Sequence, residues 1–278
     1  MVAGADEETE RPNSVLGKAQ LLLAAFESGP FQLRLTELSR RSGVPKASAY
    51  RLAQELVQWG LLERRGESYQ LGIRMFELGE RVLASASLRA VARPLLTDLY
   101  TSTRATIHLA VLDGTHVLYL EKIAGGASIH SHSQVGGRLP AWCTATGKVL
   151  LAVSQSGREQ TERLAETGLP SLTERTVVSV DALRRQLSIV AERGFALEVG
   201  ETLSGYGSLA VPVIGEDGTV HAAVSATAPV AQVTAQRLVP QLRATAAGIA
   251  RAMDRRMPAA PATTTRRPAA GSRGRATL

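Results

Sequence analysis

Five side chains that can read or hold a polyanion crowd into one short stretch, RSGVPKASAYRLAQELVQWG at residues 41–60. They are Lys46, Ser48, Tyr50, Arg51 and Gln54. Projected at about 100° per residue, Ala49, Leu52, Ala53, Leu56 and Val57 make one apolar stripe. Ala47, Arg51, Gln54 and Gln58 fall opposite, Ser48 and Tyr50 lie on the shoulders, and Lys46 stands at the helix start. Lysine and arginine donate to guanine O6 and N7, and glutamine pairs with adenine N6 and N7. Serine and tyrosine hydroxyls reach phosphate or base. Thr36, with the free amides of nearby helix starts, can hold backbone phosphates. The alternative is an amphipathic helix whose polar face is merely solvated.

Other chemistries find less support. TATGKV has the Gly-Lys of a phosphate-binding loop but lacks its first glycine and its closing Ser or Thr. No Gly-x-Ser-x-Gly nucleophile elbow occurs. Cys143 is the only cysteine, so no disulfide forms within the chain, and a small buried thiol is its ordinary role. His130 and His132 form His-x-His in a chain that also holds His108 and His116, but no cysteine pair completes a zinc set. We expect no metal, no cofactor and no catalysis.

The elements that would carry this face can be followed along the chain. Asn13 or Ser14 can cap a helix through about Glu27, with Val15, Ala19, Leu22, Leu23 and Phe26 on one side. Thr36 can cap a short second helix. Gly43-Val44-Pro45 makes a turn, and Pro45 suits the first position of the third helix. Gly60 suits its end. Two extended pieces, residues 61–64 and 69–71, flank Arg65-Gly66-Glu67-Ser68 as a hairpin. Its Arg64 and Arg65 would meet the adjacent minor groove. Helix, helix, turn, helix and hairpin form a winged helix-turn-helix over residues 13–72.

A linker helix is expected over residues 73–86, then a helix over about 88–102 with Pro94 near its start. The pattern then changes. Extended runs flank Asp113-Gly114 and again Asp217-Gly218, both hairpin signals. Helices are expected at 145–154, 157–167 and 181–193, and a last one over about 231–255 interrupted at Pro240. Residues 87–256 therefore read as an α+β domain with a mainly antiparallel sheet.

Net charge is +7, with six arginines from Arg255 onward and no acid after them. That tail, residues 257–278 with its preceding Arg255 and Arg256, explains most of the excess and is expected to be disordered, like residues 1–12. Residues 11–76, with ten Lys or Arg against five Glu, make the better electrostatic case for nucleic acid. No apolar run spans a membrane and no leader peptide is evident, so a cytoplasmic protein is expected. Aromatics are only 4%, so the core must come from Ala, Leu and Val.

Several segments together resemble the IclR family of bacterial transcriptional regulators. They are SVLGKAQLLLAAF, LTELSRRSGVPKASAYRLAQELVQWGLLER and YQLGIRMFELG, followed by LRAVARPLLTDLY, VGGRLPAWCTATGKVLLA, ERGFALEVGETLSGYGSLAVPV and VHAAVSATAP. The resemblance implies a GAF-like effector-binding domain, a homodimer or homotetramer, double-stranded operator DNA as partner, and control by a small-molecule effector, repression being the commoner outcome. It also implies an effector site from the loop before Gly147-Lys148, from the position of Ser208, from an acidic position at Glu198, and from Ser225 and Thr227. The chain departs from the family pattern at Glu198, Trp142, Ile214 and Gly215. Trp142 would supply a wall. Thr144 and the helix beginning at Ala145 would supply a hydroxyl and free amides that favour a carboxylate. Glu198 and Glu201 would repel an anion or pair with Arg138. Two other functions stay open from residues alone: an enzyme tethered by a winged helix, and a protein-interaction module.

Overall fold

The computed structural model of the chain describes residues 14–27, 29–125 and 133–256. The segments 1–12 and 257–278, together with His130 and His132, lie outside the described residues. Helix α1 (Val15–Ala24) begins at Ser14, whose hydroxyl accepts from Gly17 N at 3.0 Å. The chain leaves it in tight turns, so the helix stops short of Glu27. Strand β1 (Leu33–Arg34) precedes α2 (Leu35–Ser42). Arg34, not Thr36, is the cap residue of α2, and Thr36 stands exposed in its first turn. The reason is that Arg34 is held extended by pairing with Ser68, so the backbone turns helical directly after it.

Helix α3 (Lys46–Gln58) starts one residue after Pro45, which takes the cap position itself. It ends where Gly60 adopts φ +71°. There Leu61 N bonds Leu56 O at 2.9 Å and Gly60 N bonds Val57 O at 3.0 Å, a left-handed stop that closes two orphan carbonyls. Strands β2 (Leu62–Arg65) and β3 (Ser68–Leu71) form the wing, and β1 adds a third strand in the order β1-β3-β2. Leu22, Leu33, Leu38, Ala49, Leu52 and Leu56 pack into one core below it.

The expected linker helix resolves into α4 (Ile73–Glu80) and the start of α5 (Leu83–Thr103), parted at Arg81 and Val82. Pro94 lies in the interior of α5 rather than near its start. Likewise Pro240 does not interrupt α9 (Ala235–Arg256). Both prolines are exposed, as are Ala90 and Gln236 one turn earlier, so water can take the carbonyls that proline leaves without a donor.

The second unit is built on β4 (Thr106–Asp113), β5 (His116–Ile123), β6 (Arg138–Pro140), β7 (Ala196–Val199), β8 (Tyr206–Ile214) and β9 (Val220–Pro229). They pair antiparallel in the order β6-β5-β4-β9-β8-β7, and both expected hairpins close here. Alternation divides the sheet. Leu209, Val211, Val213, Ala222 and Val224 face α5 and α9, whereas Ala210 and Ala223 face the other side. There α6 (Ala145–Val153), α7 (Gly157–Thr167) and α8 (Val180–Arg193) cover it. The α+β class follows, with helices on both faces. The core is aliphatic as expected: its buried aromatics among the described residues are Tyr69, Tyr119 and Trp142.

Candidate functional site

The first site is the outer face of α3. Ala49, Leu52, Ala53 and Leu56 are buried, which turns Lys46, Ala47, Tyr50 and Arg51 into solvent. Neither Lys46 nor Arg51 has an ion-pair partner among the described residues. Ser48 is half-buried on the shoulder. Gln54 is tied inward: its Nε2 donates to the Tyr69 hydroxyl on β3 at 3.1 Å. That bond fixes α3 against the wing. On the wing, Arg65 is held by Glu63 at 2.7 Å, and Arg64 Nε donates to Gly66 O at 3.0 Å. Both stay exposed, at the turn beside Gly66. On α2, Glu37 takes Arg40 and Arg41. These guanidiniums hold its carboxyl down to about 2.

The second site is a cavity of about 60 Å³ between the sheet and the start of α6, open to solvent at its mouth. Thr144, Ala145, Glu198, Ser208, Ser225 and Thr227, six positions expected from sequence, all line it. The sheet register explains the convergence. Glu198 pairs with Ser208, and Ser208 with Thr227, giving one polar row across β7, β8 and β9. Ser225 pairs with His108 in the next row. Ser208 and Thr227 hydroxyls bond each other at 2.9 Å.

Trp142 is the expected residue that does not line the cavity. It is buried in the core behind the wall, edge-on to His116, and its Nε1 has no hydrogen-bond partner among the described residues. Its place falls in a 3-10 turn, residues Ala141–Cys143, that packs under α6. A Cβ on Gly147 would sit 2.2 Å from Ala141 O, so glycine is what lets the first turn of α6 approach that closely. Thr144 caps α6: it accepts from Gly147 N at 3.1 Å and donates to Pro140 O at 3.1 Å. Lys148 N returns to Thr144 O, so the amides of Ala145 and Thr146 precede any intrahelical acceptor. The Thr146 hydroxyl is buried near the Tyr119 phenol, on which its hydrogen bond acts to lower the pKa against the rise from burial.

Neither glutamate pairs with Arg138, which instead binds Asp113 on the neighbouring hairpin. Glu198 Oε1 accepts from Glu201 N at 2.5 Å and Thr202 N at 3.1 Å. Burial raises its pKa, and those two amides work against the rise. Glu201 binds the buried Lys148 ammonium. The Thr176 hydroxyl bonds Glu201 O at 2.7 Å and Thr173 bonds Gly200 O at 2.7 Å, so a second loop braces the one that carries the acids.

Sequence reasoning missed His108, Tyr119, Ser133, Leu139, Thr146, Leu172, Thr202, Leu203 and Tyr206 as lining residues. His108 Nε2 lies 2.9 Å from Ser133 Oγ, and burial, with the Lys122 charge nearby, pushes its pKa down to about 3. Burial pushes Tyr119 up to about 12 and the Cys143 thiol up to about 12. Cys143 is a buried free thiol and so a poor nucleophile. No group of three His, Cys, Asp or Glu side chains assembles to hold a metal among the described residues. No described helix is long and apolar enough to cross a membrane.

Residues 15–66 match the IclR helix-turn-helix domain, and residues 80–254 match the bacterial transcriptional regulator IclR C-terminal domain. The chain is 34% identical over 239 residues to the HTH-type transcriptional regulator KdgR of Escherichia coli K12, covering 85% of this chain and 89% of that protein. It is 29% identical to the transcriptional repressor IclR of the same organism, over 73% of this chain and 76% of the relative. Among solved structures, an IclR homologue from Microbacterium hydrocarbonoxydans complexed with 4-hydroxybenzoate superposes with a TM-score of 0.80 at 31% identity, over 87% of this chain and 100% of that one. An exposed α3 face whose Lys46 and Arg51 have no ion-pair partner among the described residues, a polar cavity in an antiparallel sheet, and these two domain matches in order agree: the chain belongs to the IclR family of transcriptional regulators.

Proposed function

We propose that this regulator binds a pseudo-palindromic operator as a homodimer, and that a small organic acid in the cavity controls that binding, repression being the outcome. The observation that carries the DNA half is the unpaired outer face of α3. Lys46, Ala47, Ser48, Tyr50 and Arg51 meet base edges and phosphates in the major groove, Thr36 and the wing's Arg64 and Arg65 meet backbone and minor groove, and Gln54 works from its bond to Tyr69. Residues 13–72 act as the reading head, 73–86 as the linker and 87–256 as the sensor. DNA as partner makes the bacterial cytoplasm the place of action.

Dimerisation is supported by an apolar surface on the reading head. Helix α4 buries none of its residues, and Ile73, Phe76 and Leu78 are 74%, 62% and 50% exposed. Val15, Leu16 and Phe31 are exposed as well. Such a surface is characteristic of an interface, and a second copy with two-fold symmetry would set two α3 helices one DNA turn apart.

The effector half is supported by the start of α6. Two free amides favour a carboxylate there. The related Microbacterium protein was solved in complex with 4-hydroxybenzoate, a carboxylic acid. An effector acts only through unequal affinity for DNA-competent and incompetent arrangements.

The test is a gel-shift series on the protein's own upstream DNA. Arg51→Ala should lower specific affinity by roughly 1–3 kcal/mol while leaving binding to random duplex nearly unchanged. Undiminished specific binding by Arg51→Ala would remove α3 as the reading element.

A further inference from the structure

We propose that Glu198 makes the cavity selective: it admits a monocarboxylate whose far end donates a hydrogen bond, and it turns away dianions. This inference rests on the effector role proposed for the cavity and adds the charge and the polar pattern of the ligand.

The two ends of the cavity differ in kind. At the start of α6 the groups without partners among the described residues are donors, the amides of Ala145 and Thr146. At the end of β7 stands a carboxylate that is 2% exposed. Its Oε1 is already occupied by Glu201 N and Thr202 N, while Oε2 has no hydrogen-bond partner among the described residues. An acceptor left open in a cavity wall is matched by a ligand O–H or N–H.

No cation offsets a second negative charge. Among the described lining residues there is no Lys or Arg. The buried cation behind the wall, Lys148, is already bound to Glu201. His108 is neutral at pH 7, as its burial dictates. A second carboxylate set at hydrogen-bond distance from Glu198 meets a like charge, and the nearby Lys148 ammonium is already committed to Glu201. At that distance the repulsion amounts to at least about tenfold in affinity. A hydroxyl at the same place makes a charge-assisted hydrogen bond instead.

The experiment is isothermal titration calorimetry at pH 7.5 on the full chain, with two matched series because the span of the ligand is open. One series is 4-methylbenzoate, 4-hydroxybenzoate and benzene-1,4-dicarboxylate. The other is butyrate, 4-hydroxybutyrate and succinate. In at least one series the hydroxy acid should bind the unmodified protein at least about tenfold more tightly than the diacid. In Glu198→Gln that preference should shrink by about tenfold or more. The amide keeps an oxygen for Glu201 N and Thr202 N, and a melting curve verifies folding. Glu198→Asp, which keeps the charge, should keep the rejection of diacids. Equal or tighter binding of the diacid by the unmodified protein overturns the proposal, as does an unchanged preference in a folded Glu198→Gln. If no acid of either series binds, the effector role itself is wrong and the selectivity falls with it. That result is distinct because it is an absence of binding rather than a changed ratio.

Discussion

Acidification should loosen the sensor unit through a single imidazole, and the size of the effect can be worked out. His108 is buried on β4, bonded to Ser133, stacked near Tyr119 with ring centres 5.0 Å apart, and close to Lys122. Its folded pKa is about 3, against 6.5 for an exposed imidazole. A base whose pKa is depressed by folding binds its proton in the unfolded chain first. The associated stability is intact above pH 6.5 and is lost progressively as pH falls toward 3. At pH 5 the unfolded imidazole is 1.5 pH units below its own pKa and the folded one is still neutral. At about 1.36 kcal/mol per unit that costs about 2 kcal/mol. For a unit of this size the melting temperature falls by roughly 4 to 8 °C. Glu198 titrates with the opposite sign, so the comparison is made against His108→Gln, which retains Glu198 and cannot gain the proton. The assay is chemical denaturation followed at pH 7.5, 6, 5.5 and 5. His108→Gln should cost a constant amount from its lost ring contact with Tyr119, while the unmodified protein closes the gap by about 2 kcal/mol toward pH 5. A gap between the two proteins that does not change with pH would refute the reasoning.

Lys148→Met should destabilise by about 3–5 kcal/mol, because it strands the Glu201 carboxylate beside Glu198 in the interior. The double change Lys148→Met with Glu201→Gln should recover most of that, and denaturant melts would expose a single-variant loss below about 1 kcal/mol as a contradiction. Phe76→Glu on the exposed face of α4 should weaken self-association and the affinity for a two-half-site operator together. Light scattering that finds the same mass for Phe76→Glu and the parent at low micromolar concentration would remove α4 from the interface. Arg51→Ala should leave thermal stability within about 0.5 kcal/mol of the parent, since this exposed side chain has no partner to lose.

Local patterns carried far in this chain. The apolar stripe of α3 was legible because a helix repeats every 3.6 residues, and the same residues are the buried ones. Both hairpins were legible from Asp-Gly between alternating runs, and the glycines there, Gly114 and Gly218, have φ +59° and +81°. The errors lie where packing and pairing beyond the local stretch decided the outcome. Thr36 lost its capping role because β3 holds Arg34 extended. Pro94 and Pro240 read as breaks, yet exposure on the outer side of a packed helix leaves their unpaired carbonyls to solvent. The break that did form, at Arg81 and Val82, carries no proline or glycine signal.

The cavity divides along the same line. Thr144 and Ala145 were legible as a helix start, and Glu198, Ser208, Ser225 and Thr227 through the family resemblance. His108 and Tyr119 were not, because a histidine or tyrosine in an alternating strand looks the same whether it faces a cavity or a core. The sequence by itself determined the first three helices, the Asp-Gly hairpins, the outward face of α3 and the aliphatic make-up of the core, since these depend on period and residue type within a few turns of chain. Only the tertiary structure decided which polar side chains share a cavity, that Trp142 stands behind its wall, that Lys148 answers Glu201, and that Gln54 is anchored to Tyr69. Strand register across three non-adjacent segments sets those meetings, and register is fixed by how whole faces pack rather than by any one stretch.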